Sequence, residues 1–371
     1  MRKVLLIGLT TPYDVRAQKE IKTLMQLGLD IRFAGVKRSF YKEKTECQEI
    51  RSYMLNKPIP GGVRAILYLP LITKHFADVI KREKPDVIHC INEEVAFIIL
   101  SISTILRLNK FIICDIYDHS HLRVKNTLLS MIMKVVSSIC HSRCYALIVT
   151  DEARKNKFIK KKYFDKTYVV PNYPAFSNIK LTNEVPSGKV KVLCAGALNE
   201  RRGVFELLKA SKLVKNMEIW CAGPISGVDV ANNFVYQSNV KYFGLIKHEE
   251  VIQLGLQCDA IFAFYKPISV NNIYASPNKL YDALLMGRPI IINAETKISD
   301  YVAKHKLGYV CKYDDIDLLG KQLNLMIEKR VYLPSYGRYL RGYGKKYHSW
   351  EIAEKSLSEI YKKIETERAL R

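Results

Sequence analysis

The 371 residues are 48% hydrophobic and 26% charged, which excludes a disordered chain and suffices for two domains that each bury a core. Lys and Arg number 59 against 36 Asp and Glu; the net charge of +23 points to an anionic partner without choosing among nucleic acid, anionic lipid and a phosphorylated ligand. Nine scattered cysteines, several inside apolar runs, exclude a disulfide scaffold and favour buried thiols in a reducing cytosol.

The apolar run after Met1-Arg-Lys stops at Gly8, too short for a secretory leader. Val95–Leu106 falls short of the about 20 apolar residues of a spanning helix, so the expectation is a soluble or peripheral protein. Val4–Ile7, Asp30–Ala34, Val87–Cys90, Phe111–Cys114, Leu147–Val149 and Tyr168–Val170 read as buried parallel strands separated by helices. The first helix places Ala17, Ile21, Leu24 and Met25 on one face and ends at Gly28. Residues 1–172 therefore predict a doubly wound, Rossmann-like domain.

Titratable groups gather where these strands end, the edge at which doubly wound sheets bind ligands. After the first strand come Asp14 and Arg16, and no G-x-G-x-x-G is present, against an NAD-type site. Asp14 reads as a helix N-cap, and Arg16 either as a first-turn surface charge or, if buried, as a group suited to bidentate phosphate binding. His89 and Glu93 follow a later strand, His89 also being readable as a hydrogen-bonded core residue. The next strand ends Asp115-Ile-Tyr-Asp118-His119-Ser-His121. Zinc or iron on His119, His121 and the two Asp is the lesser alternative there, because alternate residues of an extended chain point to opposite sides. Arg154–Lys162 mixes lysines with Phe158 and Ile159 and suits an anionic membrane surface or a solvated face. Nucleic acid is disfavoured, since no base-reading motif is visible.

Residues 173–188 have the proline and polar content of a linker. From 189 to 345 the plan repeats, with strands near Val190–Ala195, Glu218–Ala222, Val240–Phe243, Ala260–Phe264, Pro289–Ile292 and Tyr309–Cys311. Its first strand runs into Gly196-Ala-Leu-Asn-Glu-Arg201-Arg202-Gly203, and the third is followed by Gly244-Leu245. Asp315-x-Asp317 reads as a helix cap rather than a cation site. A helix spans Leu318–Glu328, a tyrosine- and glycine-bearing stretch follows, and a last helix runs from about Ser349 within 346–371.

The most informative stretch is Tyr274-Ala-Ser-Pro-Asn-Lys-Leu-Tyr-Asp282 through Gly287. It predicts a helix with Ser276 as N-cap and Pro277 at the first helical position. The free N–H groups of its first turn, with Lys279, favour a phosphate, and Asp282 lies one turn beyond Asn278 on the same face. Phosphate binder followed by diol binder is the order a nucleotide-sugar requires.

This stretch resembles the C-terminal-domain signature of GT-B glycosyltransferases of the family 4 type, and the 10–27 and 194–203 segments are similar to the same family. The resemblance implies an α/β GT-B fold of two Rossmann-like, doubly wound domains facing a cleft, the C-terminal helix crossing back to the N-terminal domain. It implies transfer of a sugar, with retention and without a metal or other cofactor, from a UDP- or GDP-linked donor to a saccharide or lipid-linked hydroxyl acceptor. The donor side would comprise Asp282, Lys279, Asn278, Ser276, Tyr274, Arg202, Arg201, Gly196 and Leu245, with Asp282 on the ribose. Asp14, Arg16, His89 and Glu93 would lie on the acceptor side, and Asp118, His119 and Asp115 are the candidate catalytic groups. The family usually carries two glutamates separated by seven residues; Asp282 matches the second, whereas Tyr274 stands at the first and Ala197 replaces an Arg. A surface-polysaccharide role at the inner face of the cytoplasmic membrane is the expectation by analogy. The alternatives are a nucleotide-sugar epimerase on this scaffold and a non-catalytic partner subunit that binds a nucleotide-sugar or the membrane.

Overall fold

The computed structural model describes residues 3–38, 50–60, 62–122, 124, 126–176, 186, 188–275 and 277–369. They form two compact units, one of Met1–Asn172 with Glu351–Arg371 and the other of Tyr173–Trp350.

The first unit runs β1 (Lys3–Ile7), α1 (Val15–Gln26), β2 (Asp30–Arg38), β3 (Arg51–Ile59), α2 (Leu69–Glu83), β4 (Val87–Ile91), α3 (Glu93–Ile105), β5 (Phe111–Ile116), α4 (Thr127–Arg143), β6 (Ala146–Val149), α5 (Glu152–Phe158) and β7 (Thr167–Val169). Its seven parallel strands are ordered β3-β2-β1-β4-β5-β6-β7. Strand β3 extends the sheet beyond the six strands expected. Central strands are apolar on both faces, β4 being buried throughout, because helices cover both sides. One side packs Leu5, Ile7, Ile88 and Cys114 against Phe76, Ile99 and Cys140 of α2, α3 and α4.

The second unit runs β8 (Val190–Ala195), α6 (Val204–Ser211), β9 (Met217–Ala222), β10 (Val240–Tyr242), α7 (His248–Leu256), β11 (Ala260–Ala263), α8 (Val270–Ile273), α9 (Asn278–Met286), β12 (Ile290–Asn293), α10 (Ser299–Lys304), β13 (Gly308–Cys311), α11 (Ile316–Glu328) and α12 (Leu333–Tyr347). Its six strands, again all parallel, are ordered β10-β9-β8-β11-β12-β13. The tyrosine- and glycine-bearing stretch is helix α12, and it lies against α9. Asp315 accepts from Leu318 N–H at 2.8 Å and so caps α11, as its spacing predicts.

Helix α13 (Trp350–Ala369) belongs to the first unit from Glu351 onward. Ala353, Leu357, Ile360, Tyr361 and Ile364 make its buried stripe, recurring every three or four residues. Glu354 accepts from Thr23 of α1 at 3.0 Å, and Tyr145 donates to Glu367 at 2.7 Å.

Candidate functional site

In each sheet the strand order reverses once, between β1 and β4 and between β8 and β11. Crevices at such reversals, outside the carboxyl ends of the strands, are where open α/β sheets take ligands. The two units fill theirs differently.

In the second unit, the loops after β8, β9 and β10 support one another. Gly196 N–H donates to Ala222 O and Gly223 N–H to Gly244 O, both at 2.8 Å. Gly223 has φ +131°, and a Cβ there would lie 2.2 Å from Gly196 O, so no larger residue fits between the loops. Lys279, in the first turn of α9, lays its side chain over the first loop: a Cβ built on Gly196 would sit 3.5 Å from Lys279 Cε and 3.9 Å from Nζ. Arg202 stacks on the Tyr265 ring at 4.3 Å. Burial pushes the Lys279 amine below the usual lysine range, and the charge of Arg202 adds to that. The buried Cys194 thiol is pulled down to about 7 by the Cys221 thiol and by both cations. Two cations sharing a crevice make a region of positive potential suited to a phosphate.

Helix α9 starts at Asn278, with Pro277 extended at the cap position (φ −71°, ψ 121°) and making no side-chain cap bond. This corrects the expectation that Pro277 is the first helical residue. Proline favours the extended region as well as the first turn, and here the chain enters the helix one residue later. Ser276 lies outside the described residues. Asn278 is exposed, Tyr274 half-buried, and Arg201 and Leu245 exposed, Leu245 by 68%. Asp282 receives His248 Nε2 of α7 at 3.1 Å. His248 has no role in the sequence reading; its signal is its place at the start of the helix following the Leu245 loop.

The crevice of the first unit is filled by its own side chains. Arg16 reaches Asp115 Oδ1 at 2.9 Å, Glu20 Oε1 at 2.8 Å and Val170 O at 2.7 Å. His89 lies 3.5 Å from Asp115 Oδ2, and its Nδ1 meets the Tyr361 hydroxyl at 2.8 Å. Burial works to raise Asp115, but the Arg16 guanidinium outweighs it and holds the carboxyl below the usual range. Burial and the neighbouring Asp115 charge push Glu20 well up. Asp14 caps α1, accepting from the N–H groups of Arg16 and Ala17 at 3.1 Å each.

Glu93 forms a second buried group with His141 Nε2 at 2.9 Å, His119 Nδ1 at 3.4 Å and Ser120 N–H at 2.9 Å. Burial would raise it, and the two histidines outweigh burial and hold it far below the carboxylate range. Arg16, His89, Glu93, Asp115 and His119 thus have interior partners and almost no exposed surface. Asp118 is different: its side chain is 46% exposed and pairs with Arg154 at 3.0 Å. Asn92 holds that loop, accepting from Tyr117 N–H at 2.9 Å and Asp118 N–H at 3.2 Å while its own backbone sits at φ 70°. Such a conformation is costly for a residue with a Cβ and persists where its surroundings fix it.

Among the described residues two groups have ligand atoms close enough for a metal, Glu93–His119–His141 and Glu20–His89–Asp115. In the second, Arg16 already supplies the cation. Phe158 packs on His119 at 4.6 Å between ring centres and Ile159 is buried in the core, so the apolar residues of this segment turn inward while Lys157, Lys160, Lys161 and Lys162 are exposed.

Two all-parallel Rossmann-like units, with the last helix returning to the first, make this a GT-B fold. Among solved structures the chain is similar to sucrose-phosphate synthase of Thermosynechococcus elongatus, with TM-score 0.76, 14% identity, and 99% of this chain and 100% of that chain covered. It is similar to HepE of Anabaena in complex with UDP and glucose, with TM-score 0.74, 13% identity, and coverage of 98% and 100%. A glycosyltransferase of Rickettsia africae gives TM-score 0.70 and 16% identity, covering 98% of each chain. No family model and no curated protein matches the sequence.

Proposed function

We propose that the chain is a glycosyltransferase that takes a nucleoside-diphosphate sugar at the carboxyl edge of its second sheet. The observation that carries this reading is Lys279 laid over the Gly196 loop beside Arg202, with Asp282 one turn further along α9. The paired cations and the first-turn N–H groups would stabilise the leaving diphosphate as its charge develops, the stage at which fixed charges contribute most. Asp282, oriented by His248, would accept from the ribose hydroxyls, and exposed Leu245 would lie against the base. That HepE holds UDP and glucose supports a donor of this class, UDP- or GDP-linked.

The finer reading is retention of configuration without a metal, and a saccharide or lipid-linked hydroxyl as acceptor, in surface-polysaccharide assembly at the cytoplasmic membrane face. Asp118 is the group we assign to receive the acceptor proton, being the exposed member of its cluster. Arg16, Asp115 and His89 are then positioning residues that hold the loops of the first unit, and Asp14 holds the start of α1.

A panel of nucleotide-sugars, read by thermal stabilisation together with release of free nucleotide, tests the proposal. A donor at a hundredfold its Kd adds about 2.7 kcal/mol to the native state, enough to raise the melting temperature visibly. Stabilisation with slow hydrolysis by one donor is the expected result, and no binding by any donor would refute it. Tyr274 at the place of the family's first glutamate favours one second reading, a nucleotide-sugar binder without turnover. Binding with no release, even with membrane extract as acceptor, would select that reading.

A further inference from the structure

Helix α4 carries a feature that the transferase reading does not use. Leu128, Met131, Ile132 and Val135 recur at i, i+3, i+4 and i+7 and are 69%, 58%, 50% and 60% exposed. The opposite side of the helix supplies Ser137, Cys140 and His141 to the interior, so the apolar stripe is additional to the packing face. A continuous exposed stripe over two turns, roughly 11 Å, of this 17-residue helix is unlike the scattered apolar residues of an ordinary surface.

The charge around the stripe selects its occupant. Between Asp118 and Asp151 the chain contains Arg123, Lys125, Lys134 and Arg143 and no Asp or Glu. From Lys155 to Lys166 there are six lysines against Asp165 alone. Lys166 joins this basic segment to the end of α4, donating to Ser142 O at 3.0 Å and Cys144 O at 2.7 Å. Lys157, Lys160, Lys161 and Lys162 remain exposed. Among the described residues no helix is long and apolar enough to cross a bilayer.

We infer that α4 lies in the surface of an anionic lipid bilayer, its Leu128–Val135 stripe at the acyl boundary and the Lys155–Lys166 segment against the headgroups. An amphipathic helix with a basic flank binds in this way, by apolar burial together with attraction to anionic lipid. The inference adds α4 as the apolar contact beside the basic segment, whose own Phe158 and Ile159 turn inward. It stands on the surface of the first unit alone and is independent of the proposed donor site.

The test is co-sedimentation of the purified full chain with phosphatidylcholine vesicles and with vesicles containing about a third phosphatidylglycerol. Binding is expected to the anionic vesicles and to weaken with salt. Replacing Met131 and Ile132 together by Ser should reduce partitioning at least tenfold, and Lys161→Ala with Lys162→Ala should reduce it roughly tenfold. An Ile132→Trp variant should shift its emission to the blue on anionic vesicles. All substituted side chains are exposed, so an unchanged melting temperature in each variant checks the fold. Three results would overturn the inference: no sedimentation with either vesicle, sedimentation unaffected by the serine pair, or a dimer in solution that the serine pair dissociates. Nucleotide-sugar binding by the same preparation reports separately on the donor site.

Discussion

The two units share a topology and use its ligand-binding edge in opposite ways. In the first unit the edge is closed: Arg16 is spent on Asp115 and Glu20, Glu93 on two histidines, and Tyr361 on His89. In the second it is open: Lys279 and Arg202 lie beside glycine loops and repel each other, Lys279 being balanced only in part by the Cys194 thiol and by Asp282 one turn along α9. A buried charge must be paired or it costs several kcal/mol, so two cations crowded into one crevice suit an added anion, whereas a cation already set between two carboxylates is part of the architecture.

Arg16→Met is the strongest way to break this contrast. It leaves Asp115 and Glu20 buried without their cation and should cost about 3–5 kcal/mol of stability. Urea denaturation measures the loss, and nucleotide affinity of the protein that remains folded should be unchanged. Acid separates the units next. His348, held neutral by burial with its pKa lowered to about 4, sits beneath α9 against Tyr281. Its unfolded value is near 6.5, so the unfolded state takes up the proton first, and the second unit should lose about 2–3 kcal/mol as pH falls from about 6.5 to about 4. Glu93 is held below the ordinary carboxylate range, so its contribution is complete at neutral pH and is lost only as pH falls through and below that range. Denaturation followed across pH should show the second unit weakening first, and His348→Gln should flatten its dependence.

Lys279→Met should weaken nucleoside-diphosphate binding by about 2 kcal/mol, roughly thirtyfold, with little loss of melting temperature, because burial and Arg202 already disfavour the charged amine. Loss of stability with unchanged affinity would place Lys279 with the closed network instead. The smallest effect is expected from His248→Phe: its bond to Asp282 is half-exposed, and donor affinity measured by calorimetry should change by about 0.5 kcal/mol.

Strands buried on both faces were legible as apolar runs, and every central strand lies where such a run predicts it. Strand β3 was not, because Arg51, Ser52, Asn56, Lys57 and Pro58 belong to a half-exposed edge strand with no such run. Helix α12 was hidden by Gly337, Gly342 and Gly344, residues that disfavour an isolated helix. Two of them have a packing reason, since a Cβ at Gly337 would lie 2.7 Å from Gly287 O at the end of α9 and one at Gly344 would lie 2.6 Å from the Phe176 ring and 2.8 Å from Leu284 Cβ. At the candidate site, Lys279 and Asp282 could be named from helix-start chemistry, which is local in the chain, and Arg202 and Gly196 through the family resemblance. The partners that decide burial were not accessible in this way. Arg16 meets Asp115 across 99 positions, and His248 meets Asp282 across 34, and no spacing rule reaches so far.

The hydroxyl that Tyr361 presents to His89 comes from a segment synthesised after the whole of Tyr173–Trp350. Translation emits domains in order, and an amino-terminal domain ordinarily folds as it leaves the ribosome. Here the amino-terminal unit lacks one wall until α13 emerges, while the contiguous second unit can finish first. During that interval Thr23, His89 and Tyr145 wait for the partners that Glu354, Tyr361 and Glu367 supply, so the order of synthesis favours a later half that completes its contacts before the earlier one.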